Sequence, residues 1–161
     1  AAGLEAYAFV SYADRASKMN PLFRGPEVAP ALYPNGFLPI VDLELSDIGG
    51  AAGVRGRLGE WDWDLSNTAG YNKGEYGVSN TVNTSLGANS PAAFDGGAAR
   101  YRQNLVNFTF GRSFDVWAGA HLAAGIEHRS ESYQLISGDP LSYTGAGTLA
   151  RMDPPTDPTL G

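Results

Sequence analysis

The sequence predicts an all-β protein whose long antiparallel strands run up and down. The first observation is strict alternation in the stretch GEWDWDLSNTAGYN, where Trp61, Trp63 and Leu65 occupy every second position and acidic or hydroxyl residues lie between them. Successive side chains of a strand point to opposite faces of a sheet, so these three apolar residues share one face. The second observation is that all 10 prolines fall between the alternating segments, where no ladder hydrogen bond is lost.

Alternating segments without proline are predicted as five strands: residues 3–18, 42–58, 61–79, 100–113 and 120–137. Short connections near Gly59 and Asp115 alternate with long ones around Pro30, Pro91 and Pro155. Up-and-down strands place every other connection at the same end, so tight turns occupy one rim and long loops the other. Strands of this length are typical of outer-membrane barrels, because strands of globular proteins usually have about five or six residues.

Composition limits the partners and cofactors. The 161 residues carry a formal charge of -6 and no run of Lys or Arg, which argues against nucleic acid as a partner. Cysteine is absent, so disulfides and thiolate metal sites are excluded. His121 and His128 have opposite parity on one predicted strand and cannot bind one metal together. We expect no metal and no cofactor. No segment is apolar enough for a membrane helix, so a membrane location requires strands.

Charged residues are predicted to share the face opposite the tryptophans. Two acidic pairs, Asp62 with Asp64 and Glu127 with Glu131, have a spacing that a glycosidase could use. Ion pairing with arginines on neighbouring strands is the favoured interpretation, and we expect no enzymatic activity. The residues assigned to this charged face are Arg55, Arg57, Asp62, Asp64, Glu127, Arg129 and Glu131.

Four segments, taken in order, resemble the middle of the β-barrel of TonB-dependent outer-membrane receptors. They are ALYPNGFLPIV, GGAAGVRGRLGEWDWDLSNTAGYN, NTVNTSLGANSPAAFD and LAAGIEHRSESYQLISGDPLSYTGAG, within residues 30–147. The resemblance implies that residues 1–161 form part of a transmembrane β-barrel in the bacterial outer membrane. The function it implies is uptake of a scarce nutrient, an oligosaccharide or a siderophore-like ligand.

The same resemblance implies a set of partners. A plug domain is not recognisable here, so the expected partners are the remainder of the barrel with its plug, a TonB-type energy-coupling protein that acts through that plug, outer-membrane lipid and a small polar ligand. Trp61 and Trp63 would then lie in the aromatic girdle at the membrane interface, and the charged residues would face the lumen.

Long-loop residues are the candidates for ligand binding, because they combine aromatic rings with amide or carboxylate groups. These candidates are Tyr33, Asn35, Phe37, Asn83, Asn89, Asp95 and Tyr143. The same residues also suit a soluble all-β carbohydrate-binding module, which is the first alternative function; a β-fold glycosidase is a more distant one.

Overall fold

The computed structural model describes residues 3–116 and 119–145. Within these ranges the chain forms one sheet of five antiparallel strands in sequence order, which confirms the predicted all-β, up-and-down arrangement. The strands are β1 (Glu5–Met19), β2 (Ile40–Leu58), β3 (Trp61–Ser79), β4 (Ala93–Phe114) and β5 (Ala120–Ile136). β1 and β5 are the two edges, since each has a single strand neighbour in the described part of the chain.

The predicted tight turns are confirmed. Two residues join β2 to β3, and the first of them, Gly59, has a φ of 63°. Glycine at the first central position with positive φ is what a type II′ hairpin turn requires, and the twist of this turn matches that of the strands. β4 ends at Phe114 and β5 begins at Ala120, so the connection at Asp115 is also short.

The start of β4 differs from the prediction. Alternation predicts the strand from residue 100, but β4 begins at Ala93, so the sequence DGG at residues 95–97 lies within the strand. Gly96 and Gly97 serve close packing within the strand: a β-carbon at Gly96 would lie 3.0 Å from the Tyr76 carbonyl oxygen, and one at Gly97 would lie 2.2 Å from that of Ile136. Glycine in a strand often marks such an approach of two backbones. The loop around Pro91 is therefore shorter than expected.

Two compact units make up the described chain. The first, which we name the turn unit, comprises residues up to Arg15 together with Leu45–Gly74 and Ala99–Leu135, and it contains both tight turns. The second, the loop unit, comprises Ala16–Glu44, Glu75–Ala98 and the residues from Ile136 onwards. The loop unit holds the long connections, with 3₁₀ helices at Thr84–Asn89 and Pro140–Ser142. The predicted loop around Pro155 lies outside the described residues.

Very little apolar surface is buried. Among the described residues, the buried hydrophobic side chains are Phe37 and Phe94, which are 6% and 9% exposed and both belong to the loop unit. Large apolar side chains of the turn unit are exposed instead, up to 77% for Leu58. Within the same residues, no helix is long and apolar enough to cross a bilayer.

Candidate functional site

The charged face of the turn unit begins beside the Gly59 turn. The Arg55 guanidinium lies 2.6 Å from the Glu5 carboxylate, and the Tyr7 hydroxyl donates to both oxygens of Asp64 at 2.9 Å. One step closer to the turn, Arg57 and Asp62 form an ion pair at 3.6 Å across β2 and β3. Strand alternation thus brings four of the predicted charged residues together on one face, as expected.

A second charged group lies between β4 and β5. Gln103 of β4 donates to Glu131 of β5 at 2.6 Å, and Arg129 lies 3.0 Å from Glu127 and 3.6 Å from Glu131. Arg129 was expected to pair across strands, and that expectation is wrong for these contacts. It bonds to the residues two before and two after it, because side chains at this spacing point to the same face of one strand.

A third polar group on this face was missed from sequence. Asp47 of β2 accepts from Arg15 of β1 at 2.6 Å and also bonds to Asn72 of β3. The alternation of β2 already places Asp47 on the charged face, but its partners are distant in the chain and could not be identified from sequence.

The acids of the two pairs considered for glycosidase chemistry, Asp62 with Asp64 and Glu127 with Glu131, are each bonded to an arginine, a glutamine or a tyrosine.

The opposite face of the turn unit, named here the apolar face, carries Trp61, Trp63, Leu65, Val106, Phe108, Phe110 and Ile126. Trp61 packs against Phe110 with 5.7 Å between ring centroids, and Phe108 lies 6.1 Å from Phe110. The Trp63 indole covers Gly56, where a β-carbon would lie 3.1 Å from the ring. These contacts confirm the predicted register, in which Trp63 and Phe108 lie opposite Arg55 and Asp64.

Polar side chains interrupt the apolar face on the side away from the tight turns. Asn67 donates to the Leu105 carbonyl oxygen at 2.9 Å and to the Asn104 side-chain oxygen at 3.2 Å. One step further, the guanidinium of Arg102 lies 5.3 Å above the Tyr71 ring. The apolar part of this face therefore has a defined limit at the Asn67–Asn104 pair.

The loop candidates have different environments. Tyr33 and Phe37 stack at 4.4 Å, and Phe37 is buried inside its loop instead of forming an exposed platform. Asp95 was assigned to a loop but lies in β4, where its carboxylate accepts from the Gly97 amide at 2.7 Å. Three further candidates, Asn35, Asn89 and Tyr143, are exposed.

Asn83 has the richest set of bonds among these candidates. Its side-chain oxygen accepts from the Ser85 amide at 3.0 Å and caps the first 3₁₀ helix. Its side-chain nitrogen donates to the carbonyl oxygens of Leu141 at 2.8 Å and Thr144 at 2.9 Å. Asn83 therefore links two segments of the loop unit and brings the Tyr143 region beside the first 3₁₀ helix.

Asn83→Asp is expected to destabilise the loop unit by about 1 to 3 kcal/mol, because a carboxylate oxygen replaces the donor that two carbonyl oxygens share. The isosteric Asn89→Asp is the matched control, since Asn89 is exposed at the end of the same helix. Hydrogen exchange of the amides at 81–90 and 142–144 measures the difference. Equal protection in the two variants would contradict the linking role of Asn83.

Comparison with known proteins gives no family for the chain: no protein-family model, no curated protein and no solved structure matches it.

Proposed function

We propose that this chain forms part of the wall of a transporter barrel of the TonB-dependent receptor kind in the bacterial outer membrane. In this proposal the apolar face meets lipid and the charged face meets the lumen or a plug domain. The chain contributes to uptake of a scarce nutrient, an oligosaccharide or a siderophore-like ligand, and catalyses no reaction. Its energy source is a TonB-type protein that acts through the plug.

The observation that carries this proposal is that large apolar side chains are exposed on one face of the central strands. They are Val106, Phe108 and Phe110 on β4 and Leu65 on β3. Burying one large apolar side chain is worth about 1.5 to 3 kcal/mol, so a water-soluble domain would forgo much of its stability with this arrangement. If lipid covers the apolar face, these side chains are removed from water and the stabilisation is recovered.

The length of the apolar face supports the same proposal. On β4 its residues run from Val106 to Phe114. A tilted strand crosses the hydrocarbon core with about nine to eleven residues, which this stretch matches. Arg112 lies at the end nearest the tight turns, where it pairs with Glu60 and lies 4.6 Å above the Phe114 ring. Such a charge is tolerated near the interface, where arginine costs little.

The two edges support a partner that continues the wall. In a sheet of five up-and-down strands, β1 and β5 run in the same direction, so identical copies arranged in a ring would have to join by parallel pairing. Bacterial barrels have an even number of antiparallel strands, which means that the missing wall contributes an odd number. An open edge in lipid leaves unsatisfied backbone groups that cost several kcal/mol each. The remainder of the barrel is therefore the first partner of this chain.

The ligand would meet the exposed loop candidates. Asn35, Asn89 and Tyr143 offer amide groups and one ring to a small polar ligand, while Phe37 and Asn83 support the loops from within. The charged face would supply a polar path lined by ion pairs.

Adjacent tryptophan probes test the orientation of β4. With the three native tryptophans replaced by phenylalanine, we expect fluorescence of Phe108→Trp to be strongly quenched by lipids brominated in mid-chain. Asn107→Trp is the matched control on the charged face, and we expect weak quenching there. Equal quenching at both positions, or a chain that stays in the supernatant of vesicles and binds sugar by itself, would favour the soluble carbohydrate-binding module.

A further inference from the structure

A groove of about 740 Å³ crosses the turn unit at the point where the apolar face ends. Small residues form its floor, among them Gly50, Ala52 and Ala69. Tyr71, Arg102 and Asn104 form its polar side. The groove exists because small residues line up across neighbouring strands while long side chains stand beside them.

The lining of the groove is divided by chemistry. Toward β1 and β2 it is aliphatic, with Val10 and Ile48, and toward β4 and β5 it presents the Arg102 guanidinium and the Ser130 and Ser132 hydroxyls. Arg102 is exposed and rests on the Tyr71 ring at 5.3 Å. In the described part of the chain it has no carboxylate partner, unlike Arg55, which is paired with Glu5.

Charge complementarity identifies the occupant. Glu131 contributes to the groove but bonds to Gln103 on the charged face, so it does not neutralise Arg102. A guanidinium fixed on an aromatic ring presents its donors in a planar fork that matches phosphate oxygens. The aliphatic residues across the groove, Val10 and Ile48, suit the first carbons of an acyl chain. The groove thus combines an anion site with an apolar surface.

We propose that this groove binds the net-anionic phosphate headgroup of a membrane lipid, with Arg102 on the phosphate and the acyl chains along the apolar face. This inference rests on the proposed function, because the apolar face must meet lipid for the chains to lie there. It adds a specific headgroup site at the outer limit of the apolar face, beside the Asn67–Asn104 pair.

Mixed micelles test the site without requiring insertion into a bilayer. The full chain is held in a non-ionic detergent and titrated with phosphatidic acid or with phosphatidylcholine, and binding is followed by the amide signals of residues 69–71 and 102–104. We expect phosphatidic acid to bind more tightly, and we expect Arg102→Gln to weaken it about fivefold. Arg102→Lys should retain part of the preference, because the charge is kept while the fork is lost.

Arg15→Gln is the charge-matched control, since Arg15 pairs with Asp47 on the charged face. It should bind phosphatidic acid as the unaltered chain does. Equal weakening by Arg15→Gln and Arg102→Gln, or no preference for phosphatidic acid, would overturn the proposed site. Inorganic phosphate that binds with the same Arg102 dependence would also overturn it, because the site would then recognise a free anion. If the tryptophan test in vesicles fails while binding in micelles still depends on Arg102, the proposed barrel wall is rejected and the lipid site is retained.

Discussion

Replacing Phe108 with arginine is expected to cost about 2 to 4 kcal/mol of folding free energy in the proposed barrel, where Phe108 would lie at mid-bilayer depth. Phe108 lies in the interior of β4, is 38% exposed and packs beside Phe110 on the apolar face. If that face meets hydrocarbon, a guanidinium at this position must give up water without gaining a partner. Reversible unfolding of the proposed barrel in bilayers measures the cost.

Two matched variants distinguish contact of the apolar face with lipid from burial of that face in a protein core. Asn107→Arg places the same charge one residue away on the half-buried charged face, and we expect it to be far milder. Phe108→Leu should be nearly neutral against fluid lipid, whereas a close-packed core would lose roughly a kilocalorie or more from the change of shape. A costly leucine, or an Asn107→Arg as damaging as Phe108→Arg, would mean that protein covers the apolar face.

Strand positions were predictable where alternation is bounded by a tight turn. β3 has the expected bounds, Trp61–Ser79, because the Gly59 turn fixes its start and the side-chain period of two admits no slip without exchanging the faces. The same argument predicted which charged residues share a face with Asp64. The pairing register was thus contained in the local sequence.

Other features depend on contacts between distant segments, which the local pattern does not contain. Gly96 and Gly97 are residues typical of turns, yet they lie in β4. Glycine is needed there because neighbouring backbone atoms leave no room for a β-carbon. Phe37 lies in a proline-rich segment without periodicity, so its burial against Tyr33 gave no signal. Asn83 carries the capping signal of the first 3₁₀ helix, but its bonds to Leu141 and Thr144 require the folded loops.

Gly97→Ala is expected to destabilise the loop unit by about 2 to 5 kcal/mol. Gly97 has a φ of 88°, and a residue with a β-carbon pays about 1 to 2 kcal/mol for the left-handed region. The added carbon would also lie 2.2 Å from the Ile136 carbonyl oxygen and 2.8 Å from the Gly138 nitrogen. Since both are backbone atoms, relief requires a backbone shift, which costs about 1 to 3 kcal/mol more.

Gly59→Ala isolates the conformational part of this cost. Gly59 has a φ of 63°, but a β-carbon added there would have no neighbouring atom within 4 Å, so only the first contribution, about 1 to 2 kcal/mol, should appear. Equilibrium unfolding of the full chain in one detergent compares the two variants. Hydrogen exchange adds a local reading at the Asp139 amide, which donates to the Asp95 carbonyl oxygen at 2.8 Å. We expect Gly97→Ala to abolish the protection of the Asp139 amide and Gly59→Ala to preserve it. Equal losses of unfolding free energy, with this amide still protected in both variants, would show that β4 does not need the close approach at Gly97.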